Sequence, residues 1–400
     1  MNFFKKMADA AEDAIEERVD EFTKGDDDGD KDGSRDAGDS ARAPEGAPED
    51  FDGKVKVAIP GIVRMFSGCM DSQTSADVSN TASFELPEDA GPGGAGGACT
   101  NALIATLTKE PESKMTWIQI LESMRGILST KGYEQIPQLS SSRKIDVQHD
   151  TFSVNHPDGS GKRRAVLIGI NYVGQRGELR GCHNDVISMK TYLETQGFVD
   201  GDMKVLMDDG SHENPTAKNI MSAIDWLVEG AAANDSLFLH YSGHGGYVTD
   251  ESGDEKDGKD ETLVPVDFQS SGQIIDDILF QELVMPVPEN CQLTCVLDCC
   301  HSGTVLDLPY MIQATENMNS ETAQMGENPG FSFSKLMKIA KKLYDMKTKG
   351  ASSTDLAKHA AKEIMPMVDK KKLTGGLSNL MGMMGKKDSE GGSGSSPFPF

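Results

Sequence analysis

Short apolar runs alternate with segments of helical spacing between residues 163 and 310. The apolar runs of strand length are residues 165–170, 203–207, 236–241 and 291–297. Residues 185–196 have the apolar spacing of a helix, and a second helix is expected to open at Pro215 and to run to about Gly230. Buried strands that alternate with helices are typical of a parallel sheet covered on both faces. The pattern therefore predicts an α/β fold for this region.

A second folded block is predicted upstream, over residues 53–147. Residues 62–66 have the apolar composition of a strand. Helices are expected near residues 98–109 and 115–130, and Thr116 is a suitable cap for the second.

Polar and low-complexity stretches divide the chain into six parts. The parts are an N-terminal amphipathic helix (1–24), an acidic disordered linker (25–52), the upstream block (53–147), a second linker (148–162), the α/β region (163–312) and a partly disordered C-terminal extension (313–400). Within the α/β region, an acidic insertion between residues 250 and 277 separates the last two apolar runs. An insertion of that length is typically functional or disordered.

The net charge of the chain restricts the kinds of binding partner that we expect. The 400 residues include 64 Asp and Glu against 39 Lys and Arg, a formal net charge of −25. A nucleic-acid-binding surface is basic, so this composition argues against that class. It favours cationic partners, such as basic peptides or divalent cations.

The cysteines and the hydropathy pattern indicate the compartment. Seven cysteines occur without regular spacing, which is typical of free thiols in a reducing compartment. No apolar run approaches the roughly 20 residues of a membrane span, and the first residues lack the apolar core of a signal peptide. We therefore expect a cytoplasmic protein without a transmembrane segment.

Two of the apolar runs lead directly into reactive side chains. Residues 291–297 are followed by two adjacent thiols, Cys299 and Cys300, and residues 236–241 are followed by His244, which has a glycine on each side. The carboxyl ends of parallel strands meet at one edge of a sheet, so a thiol and this imidazole are expected to lie close together. A Cys–His pair of this kind supports acyl transfer, with the thiolate as nucleophile and the imidazole as proton carrier.

The pattern leaves the choice of nucleophile open. Successive residues that leave a strand point in opposite directions, so only one of Cys299 and Cys300 faces the cleft. A zinc site is disfavoured, because adjacent Cys-Cys-His ligands do not surround one tetrahedral ion and no matching Cys-x-x-Cys pair exists.

Several motifs resemble those of the metacaspases, which are caspase-like cysteine peptidases. The two most specific are Ser242-Gly-His-Gly245 and Asp298-Cys-Cys-His-Ser-Gly303. Further matches are Asn171-Tyr172, Leu179-Arg-Gly-Cys-His-Asn-Asp185, Val264-Pro-Val-Asp-Phe268 and Leu306-Asp-Leu-Pro-Tyr310. Residues 62–140 resemble the metacaspase small subunit, which in most members follows the catalytic part. Here it precedes the catalytic part, the order that marks type III metacaspases.

The resemblance implies a fold and a mechanism. The fold would be caspase-like (caspase-hemoglobinase), an α/β fold with a mostly parallel six-stranded central sheet flanked by helices and a permuted subunit order. His244 matches the catalytic base, and Cys300 matches the nucleophile in preference to Cys299. The protein would act as a monomer on protein or peptide substrates.

The resemblance also implies a substrate pocket and a cofactor. Metacaspases cleave after Arg or Lys, and the matching pocket residues are Asp185, Asp298, Ser242 and Cys182. Many members require Ca²⁺, and the matching acidic positions are Asp260, Asp276, Asp277 and Asp307. Four carboxylates suit a hard cation that prefers oxygen ligands.

Self-cleavage is also typical of the family and requires a basic residue in an accessible segment. The candidates are Arg143, Lys144, Lys162, Arg163 and Arg164. The alternative to a peptidase is a catalytically silent, calcium-responsive scaffold with the same fold, which would not need an intact Cys–His pair and acidic pocket.

Overall fold

The computed structural model describes residues 51–68, 77–78, 96–109, 114–133, 135–249, 259–299, 305–312 and 322–332. The predicted N-terminal helix, nearly all of the acidic linker and most of the C-terminal extension lie outside these residues. Within them, no helix has both the length and the apolar composition needed to cross a membrane.

The helices of the described residues follow the apolar spacing of the sequence. They are α1 (Phe51–Ala58), α2 (Ala98–Lys109), α3 (Trp117–Thr130), α4 (Cys182–Thr195), α5 (Ala217–Val228), α6 (Phe268–Ser271) and α7 (Asp276–Leu279), with a 3₁₀ turn at Asp200–Asp202 and a π turn at Phe280–Val284. Thr116 caps α3 as predicted, in a capping box in which its hydroxyl accepts from Gln119 N and its own N–H donates to the Gln119 side chain. Helix α5 begins at Ala217 with Thr216 as its cap, so Pro215 precedes the helix and does not open it.

Five strands, β1, β5, β6, β7 and β11 in the numbering that follows, agree with the predicted apolar runs to within one or two residues. They are β1 (Ile62–Ser67), β2 (Asp77–Val78), β3 (Gly96–Gly97), β4 (Gln138–Ser141), β5 (Arg163–Gly169), β6 (Met203–Met207), β7 (Ser236–Ser242), β8 (Gly245–Thr249), β9 (Lys259–Leu263), β10 (Ile274–Ile275), β11 (Gln292–Asp298), β12 (Tyr310–Ile312) and β13 (Gly326–Glu327).

One large sheet organises the molecule, in the order β13-β12-β4-β1-β11-β7-β5-β6. The neighbouring strands on one side of β1, which are β11, β7, β5 and β6, are all paired in parallel. The strands on the other side of β1, which are β4, β12 and β13, are all paired antiparallel. The prediction of a mostly parallel α/β sheet is confirmed. The sheet has eight strands instead of the expected six, because the short strands β12 and β13 extend it beyond β4.

The upstream block and the α/β region contribute strands to this same sheet. Strand β1 pairs in parallel with β11, from Ile62 opposite Gln292 to Ser67 opposite Leu297. Strand β4 then pairs with β1 on its other side. Residues 53–147 are therefore in direct contact with the strand that leads to the two thiols.

Apolar side chains fill both faces of the sheet with the two-residue period of a strand. On β5, Leu167 packs into the core formed with α2, α3 and α4, whereas its neighbours Val166 and Ile168 pack into the core formed with α5 and α7. Helix α1 starts two residues inside the predicted linker because the Phe51 ring contacts the rings of Tyr310 and Phe331.

Candidate active site

Strands β7 and β11, which precede the two candidate catalytic residues in the chain, end at the same edge of the sheet. The strands are hydrogen-bonded neighbours in parallel register, and Ser242 lies opposite Asp298 at their carboxyl ends. His244 and Cys300 are each two residues beyond that pair in the chain. Cys300 lies outside the described residues.

The imidazole of His244 is oriented by a backbone carbonyl. Its Nε2 is 2.6 Å from the carbonyl oxygen of Gly177, which can only accept, so Nε2 carries the proton. Burial lowers the pKa of His244 below its ordinary value, and the bond to Gly177 O raises it in part. The ring is therefore neutral near pH 7, with its lone pair on Nδ1, the form required of a general base.

Two buried phenols hold the backbone of His244. The Tyr172 hydroxyl accepts from His244 N at 2.9 Å and donates to Val264 O at 2.6 Å, and the Tyr241 hydroxyl donates to His244 O at 2.7 Å. The Tyr172 ring also packs on the imidazole, with ring centroids 4.6 Å apart. Both the ring and the main chain of His244 are thereby positioned.

The glycine before His244 makes this arrangement possible. A Cβ atom at Gly243 would lie 2.9 Å from the Tyr241 hydroxyl oxygen and 3.2 Å from that of Tyr172. Any side chain at this position would therefore displace one of the phenols. Sequence analysis did not predict roles for Gly177 or Tyr241, because an irregular loop and an apolar strand carry no signal of a contact to His244.

The candidate pocket residues lie together beside the end of β7. The Ser242 hydroxyl donates to Asp185 Oδ2 at 2.7 Å, and the carboxylates of Asp185 and Asp298 are both buried. Cys182, the first residue of α4, is also buried, and its N–H donates to the Asn171 side chain.

Residues at the start of α2 also contact the two carboxylates. A Cβ atom at Gly97 would be 2.8 Å from Asp298 Cγ and 2.9 Å from Asp185 Oδ2, so this glycine lies between the two acids. The sequence pattern did not identify this contact, because Gly97 precedes Asp185 and Asp298 by 88 and more residues.

The four candidate calcium ligands are mostly buried but are not gathered into one site. Asp260 lies on β9, Asp276 begins α7, and Asp307 has a left-handed backbone with φ 41°; all three are buried. Asp277 is half-buried. The described part of the chain has no group of three or more His, Cys, Asp or Glu side chains arranged to hold a metal ion.

Most of the thiols are unsuited to nucleophilic attack. The five cysteines within the described ranges are reduced and buried: Cys99, Cys182, Cys291, Cys295 and Cys299. Burial raises the pKa of Cys291 to about 12 and raises that of Cys295 further. Cys299 packs in the apolar core on the α5 side of the sheet. Buried thiols in apolar surroundings are inert, which argues against Cys299 as the nucleophile.

Comparisons with known proteins show the family to which the chain is similar. Residues 163–309 match the family model "Metacaspase, peptidase C14 domain", and residues 7–147 match the model "Caspase domain". The chain is 48% identical over 295 residues to Metacaspase III c of Phaeodactylum tricornutum, covering 72% of this chain and 86% of that protein.

Fungal relatives match a shorter stretch. Metacaspase-1 of Mycosarcoma maydis is 49% identical over 172 residues, and Metacaspase-1 of Coccidioides immitis is 50% identical over 173 residues. The matches cover 42% of this chain in both cases, and 43% and 37% of the two fungal proteins.

Proposed function

Because the chain belongs to the metacaspase family of cysteine peptidases, we propose that it is a calcium-dependent endopeptidase that cleaves after Arg or Lys. One observation carries the proposal. Ser242 and Asp298 are paired at the carboxyl ends of adjacent parallel strands, and each of them precedes a candidate catalytic residue by two positions. The same pair supplies two of the proposed pocket residues, which supports a site in which the catalytic and specificity groups share one edge of the sheet.

In the proposed mechanism, His244 accepts the proton of the Cys300 thiol, and the thiolate attacks the carbonyl carbon of the scissile bond. The imidazolium then gives its proton to the leaving amine, which leaves a thioester on Cys300. A water molecule, deprotonated by His244, hydrolyses the thioester and regenerates the thiol. Backbone N–H groups near Gly245 are the proposed donors to the oxyanion.

The acidic pair is the proposed basis of specificity. Asp185 and Asp298 are buried beside Ser242, and a guanidinium or ammonium group gains most when it meets carboxylates shielded from water. An Asp side chain of a substrate would instead bring a third negative charge into this pocket. The pocket therefore favours Arg or Lys before the cleaved bond.

We propose Ca²⁺ as the cofactor because of the negative charges of the acidic insertion (residues 250–277) and of Asp307. Asp260, Asp276, Asp277 and Asp307 would hold the ion, which would neutralise acids that otherwise repel one another. Since the described side chains do not form a ligand set, ion binding would have to draw them together. The bond cleavage itself is assigned to Cys300 and His244.

Three further properties belong to the proposal. Self-processing would occur at one of the five candidate basic residues between positions 143 and 164. The reduced thiols of the described residues support a reducing compartment such as the cytoplasm. We also propose a monomer, the state implied by the resemblance, and size-exclusion chromatography with light scattering would detect a dimer.

The test uses fluorogenic peptides that end in Arg, Lys or Asp, assayed with Ca²⁺ and with a chelator. We expect the wild type to cleave the Arg and Lys peptides only with Ca²⁺, and Cys300→Ala to be inactive. Full activity of Cys300→Ala, or cleavage after Asp, would overturn the assignment. An inactive wild type that still binds Ca²⁺ would favour the silent scaffold. Calcium dependence that persists in Asp276→Ala/Asp277→Ala would refute the ion site alone.

A further inference from the structure

The N-terminal end of α2 lies against both acids of the proposed pocket. The N–H of Gly97 donates to Asp185 Oδ1 at 2.9 Å and to Oδ2 at 2.8 Å, and the N–H of Thr100 donates to Asp298 Oδ2 at 2.7 Å. These contacts join residues that are far apart in the chain, one group from the upstream block and the other from the α/β region.

The side chain of Asn101 links Gly97 of the upstream block to Asp185 of the α/β region. Its Nδ2 donates to Asp185 Oδ1 at 3.0 Å and to the carbonyl oxygen of Gly97 at 2.7 Å. Asn101 is buried, with 4% of its surface exposed. One amide group therefore fixes both Asp185 and the glycine that lies between the acids.

These contacts offset the charge repulsion between Asp185 and Asp298. Asp185 and Asp298 face each other across a space that a single methyl group at Gly97 would fill. Two buried carboxylates this close repel, and one of them would take up a proton unless donors or positive charge favoured the ionised form. N–H groups at a helix N-terminus, aligned with the helix dipole, supply that compensation before any substrate arrives.

We propose that Asn101, together with the backbone N–H groups of Gly97 and Thr100, positions Asp185 and Asp298 to receive the basic side chain of the substrate. This inference rests on the proposed function. Asn101 is a positioning residue, since it acts on the substrate through Asp185. The upstream block thereby contributes to substrate selection even though the residues that contact the substrate lie in the α/β region.

The experiment uses the full chain and two variants that disturb the pocket in different ways. Asn101→Ala removes one donor to Asp185 and adds no bulk. Gly97→Ala keeps every donor and pushes the two carboxylates apart. For both we expect KM for Arg and Lys peptides to rise about tenfold, with kcat within about twofold of wild type, since a charge-assisted hydrogen bond or its geometry is lost. The rate at which iodoacetamide alkylates Cys300, followed by mass spectrometry, is expected to stay unchanged.

The matched control is Thr106→Val, in the same helix. Thr106 is also buried, and its hydroxyl donates to Ser123 Oγ at 3.0 Å, at the contact between α2 and α3. This variant loses a buried hydrogen bond of α2 without touching either acid, so KM is expected to stay at the wild-type value.

The outcomes separate this inference from the proposed function. If the wild type cleaves after Arg and Lys and both variants keep its KM, the positioning role is wrong while the proposed function stands. If kcat and the rate of Cys300 alkylation fall by the same factor in the variants, the positioning role is also refuted, because such losses indicate a general disturbance of the site. If Asn101→Ala fails to fold, the KM of Gly97→Ala decides the question. A wild type that cleaves neither peptide overturns the proposed function and this inference with it.

Discussion

At the scale of single residues, the glycine of the Ser242-Gly-His-Gly245 motif serves the packing of two phenols. Gly243 leaves room for the hydroxyl groups of Tyr172 and Tyr241, which bind the main chain of His244 on both sides. Tyr172 keeps a left-handed backbone, with φ 53°, that a bulky residue adopts only at a cost. The site therefore depends on residues that take no part in proton transfer.

The variant Tyr172→Phe tests this dependence. It removes the acceptor for His244 N and the donor to Val264 O but keeps the ring that packs on the imidazole. We expect kcat on an Arg peptide to fall about tenfold with little change in KM, because the base is displaced and the pocket is not. Tyr192→Phe, in helix α4, is the control and is expected to keep the wild-type kcat. An unchanged kcat in Tyr172→Phe would contradict the positioning role.

At the scale of elements, secondary structure discriminates among the candidate sites of self-cleavage. Arg163 and Arg164 begin β5, which is hydrogen-bonded to β7 at these residues. The Arg143 guanidinium donates to the carbonyl oxygens of Ile59 and Pro60. Lys144 is exposed and lies in an irregular segment after β4. Lys162 is exposed as well, but its N–H donates to Asp235 Oδ1 and its carbonyl oxygen accepts from Ser236 N. A protease needs an extended, accessible substrate segment, so these contacts favour Lys144 over Lys162.

We therefore predict that self-processing cuts after Lys144. Mass spectrometry of the products formed on incubation with Ca²⁺ should show a new N-terminus at Ile145, which Lys144→Gln removes. Lys162→Gln is the matched control and should leave processing unchanged. A major product beginning at Arg164 or Ala165 would contradict the prediction, since it would require β5 to leave the sheet.

At the scale of the whole molecule, the sheet joins the two matched regions. Strands β1 and β4 come from the upstream block, and β1 pairs with β11 of the α/β region along its full length. The two fragments produced by a cut after Lys144 would therefore stay associated through these strand pairs. The permuted order of the segments is compatible with one sheet because strand pairing depends on position in space and not on order in the chain.

The stability of this sheet is predicted to depend on pH through His240. His240 is fully buried on β7, and burial lowers its pKa to about 3, from an ordinary value near 6.5 in the unfolded chain. Between these values the unfolded chain binds a proton that the folded protein does not, so stability falls as the pH falls below about 6.5.

The measurement compares unfolding by denaturant at pH 6.5 and pH 5.0. When the pH is lowered from 6.5 to 5.0, we expect the free energy of unfolding to fall by about 2 kcal/mol less in His240→Leu than in the wild type. His149→Gln, at a histidine whose side chain is 82% exposed, is the control and should behave as the wild type does. Equal losses in wild type and His240→Leu would refute the assignment to His240.

Local pattern was sufficient for the main strands of the α/β region and for the family. The apolar runs predicted β5, β6, β7 and β11 to within one or two residues, because strands buried on both faces need continuous apolar sequence. The motifs around His244 and Cys300 indicated the family, which the comparisons confirm. The choice of Cys300 as nucleophile stays a prediction, supported by the burial of Cys299 in the core.

The tertiary structure decided which distant groups meet. The contact of Gly177 with His244, and of Gly97 and Asn101 with Asp185, joins residues separated by 67 to 88 positions. No periodicity links such residues, because backbone hydrogen-bond donors and acceptors are the same at every position and only the fold selects their partners. The sequence therefore predicted the candidate reactive and acidic side chains, and the folded sheet decided which groups contact His244 and Asp185.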